Sequence, residues 1–359
     1  MDADPIASTA AGLSDLGVRF RFVSLLPVGV LALYVLALAW SGAPGHSPSA
    51  SRVVQHAKSV AGWEVFLLGV AVVAVTLIAE PLQVTLVRLL EGYWGQSWAG
   101  RQLAAPGVAF HRWRRGHLDR TQRRTAGGRA RGVAHREGAA AKLRAYPPEP
   151  AILPTMLGNI LRSAEDRAGR RYGLDAVIAW PRLYPLLSDK VTGVVNDLRD
   201  QLDLVARFCV VFAIAAAVSA GFLATHGWWL AVALAPLAGS WLSYQAALAA
   251  AAAYGQAMET AVDLHRFDLR TALHLPLPAN LRDEVAANQE LTHFLRQPAE
   301  YLFALEHDRV PNLSYSHPGA DGPASQEGAR TPSRSRRGLL NRPSGSRRSN
   351  SSRASDSRG

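Results

Sequence analysis

The sequence predicts an all-α integral membrane protein: four transmembrane helices, a cytoplasmic helical insert between the second and third, and a disordered C-terminal tail. Three observations lead there. Of 359 residues, 48% are hydrophobic and 19% charged, and the charge is crowded between long apolar runs instead of being spread along the chain. The runs approach or exceed the ~20 residues that a helix rising ~1.5 Å per residue needs to cross a ~30 Å hydrocarbon core. Lys and Arg are concentrated in the segments expected on one side of the membrane. The formal net charge of +11 points to anionic lipid or nucleic acid as partner chemistry. The single cysteine, Cys209, excludes an intramolecular disulfide framework, a thiolate zinc cluster and a Cys-x-x-Cys redox site.

After a cytoplasmic N-terminus at 1–21, the first span is expected over 22–40. Phe22–Trp40 is nineteen residues without a charge, Pro27 sits in its first turns, and Trp40 marks the far interface. A cleaved signal is the rival reading, because Ser41-Gly42-Ala43 has the small residues of a cleavage region. The run exceeds the usual ~7–15-residue signal core, and Arg19 and Arg21 flank it as they would a retained anchor.

The second span is expected over 63–84, with helical character continuing through Pro81 to Leu90. Glu80 closes its apolar run and is read either as a functional intramembrane carboxylate or as an interfacial group pairing with Arg88. The third and fourth spans, 205–224 and 228–252, form a hairpin across Thr225-His226-Gly227, with Trp228 and Trp229 at the interface. Pro236 and Gly239 are candidate kinks, and Ser240, Ser243 and Gln245 are candidate polar contacts between helices. Orientation follows from charge. Arg101–Arg144 carries twelve Lys or Arg against two acids, the tail from Val310 nine Arg against three acids, and the loop Ser41–Gly62 only Arg52 and Lys58. The central segment and both termini are therefore expected in the cytoplasm, in a bacterial plasma membrane.

The insert, 85–204, divides into two parts. Phe110-His111-Arg112-Trp113-Arg114-Arg115 reads as a segment lying on the inner leaflet, with guanidinium groups at anionic headgroups and aromatics at the interface. Nucleic acid is the less favoured partner, since no helix-turn-helix, zinc finger or aromatic platform accompanies the charge. Gly127-Gly128 is expected to interrupt any helix there. Thr155 is expected to cap a helix over Met156–Gly169, in which Arg162 and Asp166 pair at i,i+4. Asp175 precedes a short apolar element stopped by Pro181, and Ser188 or Asp189 caps an amphipathic helix running into the third span. Glu165, Asp166, Asp175, Asp197, Asp200 and Asp203 could be imagined as a carboxylate site, but arginine neighbours favour a solvated, salt-bridged face. In the helical segment 253–309, Leu275-Pro276-Leu277-Pro278 breaks one helix and Asn280 caps the next, through Phe294 or Leu295. His265, His274 and His293, with Asp263 or Asp268, fit no familiar metal-ligand spacing. The tail, 310–359, is rich in Ser, Pro, Gly and Arg and is expected to be disordered.

Pro154-Thr155-x-Leu157-Gly158-Asn159, Tyr172-Gly173-Leu174-Asp175 and Trp180-Pro181-Arg182-Leu183 together resemble the characteristic segment of uncharacterised multi-pass membrane proteins of high-GC Gram-positive bacteria. The resemblance covers some 35 residues and implies a fold and a location. It brings no catalytic residue, and no catalytic, cofactor-binding or metal-ligating position is assigned from the sequence. The expected function is an inner-membrane scaffold or regulatory protein presenting its basic cytoplasmic segment to anionic lipid headgroups or a protein partner. The alternative is a subunit of an oligomeric small-solute transporter or channel, motivated by Glu80, Gln245 and the proline-interrupted helices.

Overall fold

The computed structural model describes residues 26–79, 83–94, 97–124, 130–297 and 314–315. Every regular element among them is helical, in the order α1 (Leu26–Trp40), α2 (Ala50–Ser59), α3 (Gly62–Ala79), α4 (Gln83–Glu91), α5 (Trp98–Arg124), α6 (Ala130–Leu143), α7 (Met156–Arg167), α8 (Ala176–Leu183), α9 (Asp189–Leu223), α10 (Leu234–Ala272) and α11 (Leu281–Arg296). The expected N-terminus, Glu80-Pro81, the Gly127-Gly128 break and the tail after Tyr315 lie outside the described residues.

Two long antiparallel helices organise the rest. α9 has 35 residues, so at ~1.5 Å per residue it is roughly 50 Å long and outreaches a hydrocarbon core. Taken singly, it is the one described helix both long and apolar enough to cross a membrane. α2 and α3 pass the same test only as a pair, and they meet at 104°. The amphipathic stretch after Ser188 does run unbroken into the apolar stretch, as expected, but the Ser188 side chain makes no capping bond. The return helix differs in detail. Gly227–Ala233 is a 3₁₀ segment, and α10 starts at Leu234 and continues to Ala272 without a break.

The main core lies where α7 and α8 cover the half of the α9–α10 hairpin remote from its turn. Leu157, Ala179, Leu183, Val195, Leu202, Ala251, Ala261, Val262 and Leu269 are its buried centre. Small residues allow the close approach, since a Cβ on Gly255 of α10 would stand 2.4 Å from the Ala164 methyl of α7. A second, smaller core joins Leu38 and Ala43 to Leu223 near the hairpin turn. There Tyr34 Oη and Ser219 Oγ, 2.6 Å apart, tie α1 to α9.

α3 behaves otherwise. Trp63, Val65, Phe66, Leu67, Val70, Val73, Leu77 and Ile78 are all exposed, so the helix shows apolar side chains around most of its circumference. A helix apolar on all sides is one covered by lipid or by other protein.

Local signals explain the short elements. Thr155 Oγ1 accepts from Gly158 N at 3.1 Å, Asp175 Oδ1 from Val177 N at 3.1 Å, and Asn280 Oδ1 from Asp283 N at 3.0 Å. All three are N-caps, which satisfy backbone donors that the first helical turn leaves free. Pro181 does not stop α8, which runs on to Leu183 and passes into a 3₁₀ turn, Tyr184–Leu186. Arg162 does not reach Asp166. It pairs with Glu165 at 3.0 Å, while Asp166 takes Arg170 at 2.8 Å.

Candidate functional site

Two regions bring functional chemistry together, and one joint positions both. Pro154 lies between two glycines. A Cβ on Gly92 would stand 2.5 Å from its ring, and one on Gly107 of α5 2.6 Å from its carbonyl oxygen. Gly158 is tighter still, because a Cβ there would come within 2.0 Å of the Glu91 carbonyl at the end of α4. Asn159, fully buried, fastens the turn. Its Oδ1 accepts from Leu153 N at 2.8 Å, and its Nδ2 donates to the carbonyls of Leu153 at 2.9 Å and Thr155 at 2.7 Å. The Pro154–Asn159 motif is thus the joint at which α4 and α5 meet α7.

The other motif residues are also structural. Gly173 takes a positive φ of 73° and would place a Cβ 2.6 Å from the Val285 carbonyl oxygen. Tyr172 stacks under the Arg266 guanidinium, 4.1 Å from its ring centroid. Asp175 pairs with Arg296 of α11 at 2.7 Å. Buried Arg270 donates to the Pro276 carbonyl oxygen at 2.8 Å and to Asn288 Oδ1 at 3.2 Å, and so holds α11 to α10.

The first functional region is the α5–α6 hairpin, where the segment read as a surface strip is a 27-residue helix packed on a partner helix. Its inner side carries His111, buried, with Nδ1 3.1 Å from Tyr146 Oη. Burial, aided by Arg114, holds the His111 imidazole below its ordinary pKa. The outer side carries Trp98, Leu103, Phe110 and Trp113, all exposed and within one sector at helical spacing. Arg112 and Arg114 are exposed along the edges of that sector, and exposed Arg120 lies within it, two turns beyond Trp113. Arg115 turns towards Glu149, 3.6 Å away, and Arg123 towards Asp119 at 3.0 Å.

The second region is a cavity of about 220 Å³ enclosed by α4, α7, α8, α9 and α10. Glu91, Glu165, Asp203 and Arg199 supply its charge, and Trp180 and Tyr254 its aromatic walls. Burial pushes the Glu91 carboxyl up to about 7, and the neighbouring Glu165 charge adds to the rise against the pull of Arg199 and Arg88. Asp203 is raised as well, first by burial, with Arg199 and Arg207 opposing. Arg199 loses some affinity for its proton by burial, but Tyr254, Asp203 and Glu91 more than restore it. Tyr254 Oη lies 3.5 Å from Arg199 Nη1.

The carboxylates singled out from the sequence therefore separate. Asp166 and Asp175 form the ion pairs that a solvated face implies, Glu165 pairs with Arg162 at the edge of the cavity, and Asp203 lines it. Glu91 carries no sequence signal of its own; it shares a face of α4 with Val87, and only the packed structure shows that this face looks inward. Among the described residues no three His, Cys, Asp or Glu side chains are grouped to hold a metal. His265 instead contacts Asp268 at 2.7 Å. Gln245 lies exposed on α10, and Glu80 falls outside the described residues.

No known family, curated protein or solved structure matches this chain. Among the described residues the protein is all-helical, with one helix able to span a membrane by itself and a basic helical hairpin joined to α7 through a glycine-lined turn.

Proposed function

We propose that the chain is a four-span scaffold or regulatory protein of a bacterial inner membrane, related to the multi-pass proteins that its Leu153–Leu187 segment resembles. In this reading α1, α3, and the apolar parts of α9 and α10 are the spans. The α5–α6 hairpin lies against the anionic cytoplasmic leaflet, where it is also available to a protein partner. One observation carries the proposal: the outward face of α5, with Trp98, Leu103, Phe110 and Trp113 exposed between flanking arginines. A soluble surface disfavours such a stripe, whereas a leaflet takes the apolar groups into the interface and the guanidinium groups to its phosphates. Each arginine near such a surface contributes on the order of 1 kcal/mol, weakened by salt. The apolar surface around α3 supports the membrane location.

Two measurements on the full chain test this, in a Cys209→Ala background. Single cysteines at positions 50, 130, 226 and 300 should label from outside, inside, outside and inside respectively; an externally labelled position 130 would reverse the topology. A nitroxide at Trp113→Cys should be buried from water in anionic liposomes and exposed in neutral ones. Replacing Arg112, Arg114 and Arg120 by Gln should return it to water. Equal burial in both lipids would refute the electrostatic contact, and solute flux above lipid controls would favour the transporter reading.

A further inference from the structure

We propose that Glu91 is a proton-operated latch that holds α4 against α7 and α9 when protonated and loosens it when ionised. The geometry places a carboxyl at the last residue of α4, inside the cavity of about 220 Å³, with its own backbone carbonyl lodged against Gly158. Backbone contact and side-chain charge thus belong to one residue. A charge appearing on that side chain therefore acts within one residue of the contact by which α4 docks. Just beyond it the chain turns at Gly92, with φ of 91°, and Trp94 Nε1 donates back to the Leu89 carbonyl at 2.7 Å, so the end of α4 is a short, stiff unit.

The groups facing Glu91 come from every surrounding element. On α4 itself Arg88 attracts its charge, and Tyr93 lies two residues beyond. From α7 comes Glu165, whose charge is shared with Arg162 at 3.0 Å. α8 contributes Trp180, Val177 and Pro181, none of which titrates, and Arg182 is turned away to the Ile178 carbonyl oxygen at 3.0 Å. α9 contributes Arg199 and Asp203, with Asp200 and Arg207 behind them. α10 contributes Tyr254. The described residues offer Glu91 no carboxylate–cation pair within salt-bridge distance, while Arg167, another cation of α7, is held by Glu259 of α10 at 2.8 Å. An ionised Glu91 would therefore add a further negative charge beside Glu165 and Asp203. A proton on it removes that charge and supplies an O–H donor.

The sign follows from the direction of the shift. The docked carboxyl holds its proton up to about 7, against an ordinary value of 4.5 for the same group in water. Docking is thus strongest below the ordinary value and weakens as pH rises from there towards 7, after which no more is lost. A shift of that size corresponds to at most ~300-fold in the docking equilibrium, and solvent screening of a partly exposed carboxyl reduces it to roughly ten- to fifty-fold. Because α4 leads into α5, release would also move the aromatic–basic helix. That consequence rests on the proposed membrane contact, and the latch itself does not.

The test uses the full chain in nanodiscs, in a Cys209→Ala background, with spin labels at Leu89→Cys on α4 and Lys190→Cys on α9. Pulsed electron-spin distance measurements are taken between pH 5 and 8.5. At pH 5 a single narrow distance is expected, and a second, broader population should grow as pH rises towards 7 and level off above it. Glu91→Gln should keep the narrow distance at every pH, and Asp203→Asn should retain the transition at a lower midpoint. Amide exchange of α4, measured without labels, should accelerate over the same range and only when Glu91 is present. A pH-independent distance in the otherwise native chain would overturn the latch, as would an unchanged transition in Glu91→Gln. Repeating the series in neutral and anionic nanodiscs separates the two proposals: a latch indifferent to lipid charge stands even where the α5 contact fails.

Discussion

Asn159→Asp is the sharpest test of the joint, because it changes almost no volume and reverses one hydrogen-bonding group. In the native chain Oδ1 accepts from Leu153 N, and Nδ2 donates to the carbonyls of Leu153 and Thr155 at 2.9 and 2.7 Å. The substitution keeps the acceptor and replaces the donor with a second oxygen facing two carbonyl oxygens. Losing two donated bonds costs about 1 kcal/mol each; the Thr155 carbonyl keeps the Asn159 amide at 3.2 Å, and leaving the Leu153 carbonyl without its donor raises the total to roughly 3 kcal/mol. An ionised carboxylate at a site with no exposure would cost several kcal/mol more, so the folded variant takes up a proton instead. Its carboxyl is then raised in the folded state relative to the unfolded one. The penalty relative to the native chain should therefore be smallest in acid and grow as pH rises from ~4 towards neutrality. Reversible denaturant titration in mild detergent, followed by near-UV circular dichroism at pH 4.5 and 7, measures it. A loss of roughly 3–5 kcal/mol at pH 7, partly recovered at pH 4.5, is expected. Asn159→Ala should show a loss of about 2–3 kcal/mol without that pH dependence. A difference below about 0.5 kcal/mol at pH 7, or one equal at both pH values, would refute the account of Asn159 as the fastening of the turn.

Three further outcomes follow from the same structure. Gly158→Val should separate α4 from α7, since even a Cβ would stand 2.0 Å from the Glu91 carbonyl oxygen; faster amide exchange confined to α4 and α5 would show it, and uniform acceleration would not. Arg270→Met should leave Asn288 Oδ1 and the Pro276 carbonyl oxygen without their donor and loosen α11 by about 2–3 kcal/mol, read as protease cleavage after Leu273. Tyr34→Phe removes the 2.6 Å contact with Ser219 and should lower stability by about 1 kcal/mol, with no effect on α5 or on the Glu91 cavity.

What could be read from the sequence was what depends on chain neighbours. Thr155 and Asn280 were legible as caps because a cap bonds to an amide two or three residues on. The apolar stretch of α9, its continuity with the amphipathic stretch before it, and the break at Leu275–Pro278 were legible for the same reason. Whatever needed a partner from far along the chain was decided by the tertiary structure. Arg162 has Glu165 and Asp166 both within local reach, and packing selected Glu165. Asp175 found Arg296, 121 residues away, which no spacing rule foresees. The outward face of α5 became definable only once Gly107 had been set against Pro154 and His111 against Tyr146, because a helix with apolar residues on more than one side does not declare which side is covered. Glu91 shows the same dependence most plainly. In sequence it is one acid at the end of a short helix, and its setting exists only because Gly158 admits its carbonyl and α9 brings Asp203 and Arg199 to the same cavity. Burial and charge proximity, the two causes of a shifted carboxyl, are properties of the packed molecule and have no local code.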